Sequence, residues 1–351
     1  MPIAGYRNTG GIMPRNGTRI LLTAMVGLLL AAAPAAAQKQ VLHMAYWGGP
    51  SHQMVRTQAA WIKTIEEASG GNLTVEVDKA PLAKPEGQYD LIKNGVRDLV
   101  WAVPGYTPGR FDMLQVGELP LLCPGPAVCS PILWRWYEKY QLAAKEFTDT
   151  HLLAVFMGGP FLLHTAKPAR TLDEIRTLKI RAAGSSLPAA KALGMTPVTL
   201  AANEAYEAAQ RGTVDGALFP WEAMTSFRLN ELLKYHLEVP GGLGAPAFVI
   251  VANKRAIEKL TPENQAALLK ASGEAGSALF GKAWQAADEH GRKDAQEKGQ
   301  TIETLAPAEI EKWRPMLETI AEDWVKKADQ KGYDGRKMLD ELRAMIKAGS
   351  S

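Results

Sequence analysis

The sequence predicts an α/β protein built as two similar lobes, and three observations predict it. Strand-like and helix-like segments alternate between residues 41 and 103 and again between residues 179 and 219, the pattern of open sheets covered by helices. The two stretches share a local device. A helix ends at a glycine, an acidic turn residue follows, and a buried strand begins, in Gly95-Val96-Arg97-Asp98 and again in Gly212-Thr213-Val214-Asp215. The length of 351 residues, 46% hydrophobic and 22% charged, suits about two domains of ~100–200 residues and excludes a disordered, collagenous or coiled-coil chain.

Before the first strand, residues 1–37 read as an export signal. Arg7, Arg15 and Arg19 precede an apolar run at residues 20–33, Ala35-Ala36-Ala37 offers small residues for cleavage before Gln38, and no acidic residue precedes Glu66. The apolar run falls short of the about 20 residues that span a membrane. Loss of its three arginines from the 40 Lys and Arg leaves 37 basic against 37 acidic residues, so the formal charge of +3 belongs to the signal. Nucleic acid is therefore not an expected partner. No later stretch reaches 18 apolar residues, so the mature chain is expected not to insert into a membrane.

Residues 41–47 are strand-prone, Gly48-Gly49-Pro50 breaks them, and Ser51 is a candidate N-cap for a helix over 53–68 with Val55, Ala59, Ile62 and Ile65 on one face. Gly70-Gly71 stops that helix. Leu73, Val75 and Val77 alternate as a strand, residues 86–93 form a short helix, and 99–103 a buried strand. Lys179-Ile180-Arg181 closes a strand, Ser185 or Ser186 caps a helix that stops at Gly194, Asn203 caps a helix over 204–211, and 217–219 is again a strand. Residues 248–251 read as a strand at a crossover. From Pro262 onward amphipathic helices dominate, with Leu268, Leu279, Trp284, Trp313, Leu317 and Trp324 on their apolar faces and a strand-like break at 301–305.

Enzyme signatures are missing: there is no Gly-x-Ser-x-Gly elbow, Walker loop, dinucleotide glycine fingerprint or His-Glu-x-x-His. His52, His151, His164 and His236 are scattered singly, and six His with two Cys leave little material for a metal site; neither metal nor cofactor is expected. Cys123 and Cys129 flank Pro-Gly-Pro-Ala-Val. They are either two buried thiols or a short-loop disulfide, and export into an oxidising compartment favours the disulfide. Arg181 stands at the carboxyl end of a strand, where open α/β sheets bind ligands. A guanidinium there offers a planar fork to a carboxylate; the alternative is a surface arginine in an ion pair.

Several ordered motifs decide between these. They are Gly105-Tyr106-Thr107-Pro108-Gly109-Arg110-Phe111 with Glu118-Leu119-Pro120, Thr165-Ala166-Lys167-Pro168, Leu178-Lys179-Ile180-Arg181, Ala192-Leu193-Gly194, Glu204-Ala205-Tyr206 and Gln210-Arg211-Gly212-Thr213-Val214-Asp215-Gly216. Through them, residues 41–347 resemble the DctP-like substrate-binding proteins of TRAP transporters, periplasmic receptors for organic acids. The resemblance implies a two-lobed periplasmic binding protein fold with a bracing C-terminal helical region. It implies a small carboxylate ligand in the interlobe cleft, and small and large membrane permease subunits as partners. Lobe one is expected at 38–158 with 247–285, lobe two at 159–246 with 286–325, and 326–351 as a helix bracing both.

In that family the arginine of Lys-Ile-Arg clamps the ligand carboxylate, a role the resemblance carries to Arg181. Many relatives hold a second arginine where this chain has Phe161, and an asparagine where it has Phe219. With Trp47, Tyr106 and Trp221 these form an expected aromatic wall, which favours a monocarboxylate with an apolar or aromatic body. Ser51 and His52 are placed at the cleft mouth, and Glu204 and Tyr206 hold the helix that presents the site. Arg110 is either structural or a second cation. Two rival functions stay open: a secreted enzyme using the same cleft, and a receptor feeding a sensor.

Overall fold

The computed structural model describes residues 39–350; the export signal and its cleavage point lie outside the described residues. In chain order the strands are β1 (Gln40–Ala45), β2 (Leu73–Val77), β3 (Leu99–Ala102), β4 (Thr150–Met157), β5 (Leu162–Thr165), β6 (Lys179–Arg181), β7 (Thr196–Val198), β8 (Gly216–Phe219), β9 (Tyr235–Glu238), β10 (Ala247–Asn253) and β11 (Thr301–Thr304). They form one sheet in the order β2-β1-β3-β10-β4 and a second in the order β11-β9-β5-β8-β6-β7. Each sheet has a core on one face, and a third core joins residues of both sheets, among them Met44, Trp101, Ala217 and Phe219.

The repeated glycine–aspartate device has a structural reason. Gly95 and Gly212 end their helices in the left-handed region, at φ of +70° and +68°, where glycine carries no Cβ penalty. Asp98 then accepts the His43 N–H through Oδ2 at 2.8 Å and donates its own N–H to the His43 carbonyl at 3.0 Å. Asp215 makes the same pair of bonds with Lys179 at 2.8 and 2.7 Å. One carboxylate therefore fixes the register of parallel β1 and β3 in lobe one, and another fixes parallel β6 and β8 in lobe two.

β10 returns the chain to the first sheet and runs antiparallel to both β3 and β4. Its near-continuous apolar run covers both faces. Phe248, Ile250 and Ala252 enter one core, Ala247, Val249 and Val251 the other, as the two-residue side-chain period of a strand requires. β4, apolar from Leu152 to Met157, escaped the sequence reading because a strand buried on both faces shows no alternation. The helix Pro126–Lys139 escaped it because its start reads as a Pro/Gly loop, although proline suits the first helical position. Cys129 lies in its first turn, bonded to Cys123 with a Cα–Cα distance of 6.0 Å.

Two expected caps are corrected, and the third position, Ser186, is one of the two serines expected there. The first helix begins at Met54, not at Gln53, and its Met54 N–H donates to His52 Nδ1 at 3.1 Å rather than to Ser51. Glu204, not Asn203, ties its turn by accepting the Ala201 N–H at 3.0 Å. Ser186 Oγ accepts the Ala183 N–H at 3.0 Å, within the turn that precedes the helix Leu187–Ala192.

The helical brace also differs from expectation. The helix Pro307–Gln330 crosses between lobes: Trp313 and Leu317 enter the core of the second sheet, while Ala321, Trp324 and Ala328 enter that of the first. The boundary expected at residue 325 falls inside it. The helix Gly335–Gly349 packs Met338, Leu339, Leu342 and Ile346 into lobe one alone, because its apolar face matches the helix Pro126–Lys139, whose Trp136 indole donates to the Met338 carbonyl at 3.0 Å. Among the described residues, no helix is long and apolar enough to cross a membrane.

The lobes also meet at two turns that follow β3 and β6. A Cβ on Gly105 would stand 3.2 Å from both Gly184 Cα and Ser185 N, so only glycine lets these backbones close on each other. Gly105→Val is expected to hold the lobes apart, lowering ligand affinity at least about tenfold through loss of the closed state, with the melting temperature of the ligand-free protein little changed. Calorimetric titration and a thermal melt check this together.

Candidate functional site

Between the lobes lies a cavity with about 520 Å³ of empty space, its opening to solvent included. Arg181 ends β6 and is only 2% exposed, so the surface ion pair considered for it does not exist. Its Nε donates to the Leu200 carbonyl at 3.1 Å and its Nη2 to the Tyr106 hydroxyl at 3.1 Å. Its guanidinium carbon lies 4.1 Å from the Phe219 ring centre, within cation–π range. Burial pushes its pKa below the usual arginine value, with Tyr106 and Glu204 acting against that shift. Among the described residues no carboxylate forms an ion pair with it, and it is the one Lys or Arg lining the cavity. A desolvated cation without a counter-charge is costly until an anion arrives.

Phe161, Phe219, Trp47, Tyr106 and His52 line the same cavity. Phe161 is fixed by the crossing between lobes, where its N–H donates to the Gly244 carbonyl at 2.7 Å and its carbonyl accepts from Leu243 at 3.0 Å. Trp47 stacks on Trp101 with ring centres 4.4 Å apart.

Trp221 and Ser51 are corrections. Ala223 and Phe227, four residues apart, face the cavity, which turns Trp221 to the other side of its helix. There its indole donates to Glu238 at 3.1 Å and its ring packs on His164 and His236. Ser51 is exposed on the turn before the first helix and does not line the cavity. Arg110 is held by Asp149 and by the Tyr89 hydroxyl, on which it also stacks, and so serves lobe one rather than the cavity. Tyr206 donates to Glu231 at 2.9 Å on the surface.

Sequence reasoning missed Trp101, Phe227, Phe248, Trp284 and Glu222, all lining the cavity. Trp101 was findable, since it stands near the carboxyl end of β3 as Trp47 follows the end of the adjacent β1. Trp284 and Phe248 carried only the signal of core residues. The indole N–H groups of Trp47, Trp101 and Trp284 are buried and have no hydrogen-bond partner within the described residues, an uncommon state for three donors around one cavity.

His52 is buried, and burial pushes its pKa down to about 3, so it is neutral. Its Nδ1 accepts the Met54 N–H, which places the ring proton on Nε2. Glu222 carries the opposite shift: burial, with Asp288 nearby and Ser226 opposing, pushes its carboxyl up to about 7. Glu118 and Asp288 are likewise raised to about 7 by burial. No group of three or more metal-ligating side chains occurs among the described residues.

Two sheet-based lobes closing over a cavity with one unpaired cation define a binding protein for a small anion. Residues 44–328 match the bacterial extracellular solute-binding proteins of family 7, and the chain belongs to that family. Its fold is similar to that of a TRAP periplasmic solute-binding protein of Bordetella bronchiseptica with bound (R)- and (S)-mandelate. That pair shares 30% identity over 88% of this chain and 99% of the other, with a TM-score of 0.84. It is equally similar to a TRAP solute-binding protein of Rhodoferax ferrireducens in complex with copurified benzoate, at 30% identity over 89% and 98% of the two chains and a TM-score of 0.82. The outer membrane transporter protein TsaT of Comamonas testosteroni is 26% identical over 327 residues, 91% of this chain and 96% of that one. The two-lobed α/β fold expected from the resemblance is the fold found. As a member of this family the protein is an extracellular solute-binding protein.

The raised carboxyls make stability depend on pH in a stated direction. Asp288 accepts the Glu222 N–H at 3.0 Å while buried. Between about pH 4 and pH 7 an unfolded chain has released this proton and the folded one has kept it, so stability is lost as pH rises through that window. The loss persists above pH 7. Asp288→Asn removes the titration. The stability of this variant relative to wild type is expected to improve from pH 5 to pH 8 in urea unfolding, and a pH-independent difference would exclude the shift.

Proposed function

We propose that this protein captures a monocarboxylate with an aromatic or apolar body and delivers it unchanged to a TRAP permease. The observation that carries the reading is Arg181, buried without a counter-charge in a cavity otherwise walled by Trp47, Trp101, Phe161, Phe219 and Phe248. The ligand carboxylate takes the guanidinium face left free by Leu200, assisted by the Tyr106 hydroxyl. The ligand body displaces water from the rings at about 25 cal/mol per Å². A second carboxylate would find no second cation and would be buried unpaired. The mandelate and benzoate held by the two similar structures are of this ligand class.

The remaining assignments follow from this role. The protein carries out no chemical step on its ligand. It acts in the periplasm after removal of residues 1–37. Lobe one comprises the sheet with β1 to β4 and β10, lobe two the sheet with β5 to β9 and β11, and the helices Gly273–Glu297 and Pro307–Gln330 run from one to the other. The cation of lobe two and the Tyr106 hydroxyl of lobe one then meet only when the cleft closes.

Titration calorimetry with benzoate, mandelate, succinate and malate tests the reading. At least one monocarboxylate is expected to bind tenfold or more tightly than either dicarboxylate, and to be recovered unaltered. Arg181→Ala is expected to lose about 2–5 kcal/mol, roughly 30- to several-thousand-fold in affinity. Arg181→Lys is expected to recover little, because an ammonium lacks the planar fork. Succinate or malate binding more tightly than both monocarboxylates would overturn the ligand class and leave the family role standing.

A further inference from the structure

The cavity has a second polar end that the carboxylate clamp does not use. His52 and Glu222 both line it and are almost fully buried. Contacts between rings separate them from Arg181: the guanidinium lies over Phe219, Phe219 stacks with Phe227, and Phe227 meets the His52 ring edge-on. The groups that act on the Glu222 carboxyl are Ser226 and Asp288, and Arg181 is not among them. His52 Nε2 stands 3.7 Å from Glu222 Oε1. That is too long for a hydrogen bond, yet a single oxygen atom can sit about 2.8 Å from both.

The direction of each bond follows from the geometry. Because Nδ1 accepts the Met54 N–H, Nε2 carries the proton and can only donate. Glu222 Oε1, already receiving the Ser226 hydroxyl hydrogen bond, accepts. The gap therefore calls for an atom that accepts from one side and donates to the other. A hydroxyl does both. A second carboxylate has no proton to give Glu222 and meets no cation here. An ammonium has only donors and would confront the His52 N–H. The rings of Trp47, Trp101 and Trp284, whose indole N–H groups have no partner among the described residues, have centres 6.1, 5.1 and 6.3 Å from that of His52.

We propose that His52 and Glu222 form a hydroxyl-reading pair, which makes the receptor selective for ring-hydroxylated aromatic monocarboxylates over unsubstituted ones and over aromatic dicarboxylates. This rests on the aromatic-monocarboxylate reading given above.

The test is a calorimetric panel on the wild-type protein: benzoate, the three hydroxybenzoates, the three methoxybenzoates, isophthalate, terephthalate and succinate. At least one hydroxybenzoate is expected to bind tenfold or more tightly than benzoate. Its methoxy counterpart, which cannot donate, is expected to lose that gain, and both aromatic dicarboxylates to bind more weakly than benzoate. In Glu222→Leu the hydroxybenzoate-to-benzoate affinity ratio is expected to fall to about one. In Glu222→Gln, whose amide oxygen still accepts, the ratio is expected to stay above about three, and thermal melts establish that each variant is folded. Benzoate binding with no hydroxybenzoate gaining on it overturns the hydroxyl-reading pair alone. Failure of benzoate and every hydroxybenzoate to bind, with succinate bound, overturns the ligand class beneath it.

Discussion

A guanidinium removed from water without a carboxylate beside it is the constraint on which this cleft depends. The protein offsets part of the cost with a backbone carbonyl at Leu200, a hydroxyl at Tyr106 and the face of the Phe219 ring, none of which neutralises the charge. Tyr106 belongs to lobe one and Arg181 to lobe two, so the polar contact exists only across the closed cleft. Anion binding and lobe closure are thereby coupled: each makes the other less costly, the condition for a receptor whose conformation reports occupancy.

Closure of this kind needs lobes that move as rigid bodies and a contact that tolerates no slack. Asp98 and Asp215 lock the parallel register in each sheet by the same two bonds, so β3 and β6 deliver the turns carrying Tyr106 and Ser185 in fixed positions. Those turns meet through Gly105 and Gly184, backbone against backbone. The crossing segments are tied to each other by the Gly158–Pro246 and Phe161–Gly244 bonds. They put Phe161 where the lobes join and also in the cavity wall.

How much of this was legible follows the physics of each signal. The glycine stops, the acidic turn residues and the strand-end position of Arg181 were readable because each is a local requirement met by a residue type. β4 and the helix Pro126–Lys139 were not: one is apolar without period, the other opens in a proline-rich stretch. In the site, Phe161 and Phe219 stood out as departures from the pattern of similar sequences, whereas Trp101 and Trp284 looked like any core residue. Trp221 was misplaced because one residue along a helix turns a side chain by about 100°, and sequence adjacency to Phe219 says nothing of that rotation. Glu222 gave no signal at all, since a lone glutamate in a helix reads as a solvated one; only its burial beside His52 distinguishes it.

The aromatic wall and the polar end away from Arg181 belong to one solution. With Phe161 and Phe219 in the wall and Arg181 the one Lys or Arg lining the cavity, a second ligand charge would be buried without a partner, a penalty much larger than one missing contact. What remains for discrimination inside the cavity is uncharged hydrogen bonding. A site built to pair a hydroxyl leaves its own donor and acceptor unsatisfied when the hydroxyl is absent, so it rejects the bare ring more strongly than an apolar pocket could reject an added group. On the proposed reading His52 and Glu222 supply that asymmetry, at the end of the cavity away from Arg181. On that reading Arg181 selects for a carboxylate, and the His52–Glu222 pair selects among the rings attached to it.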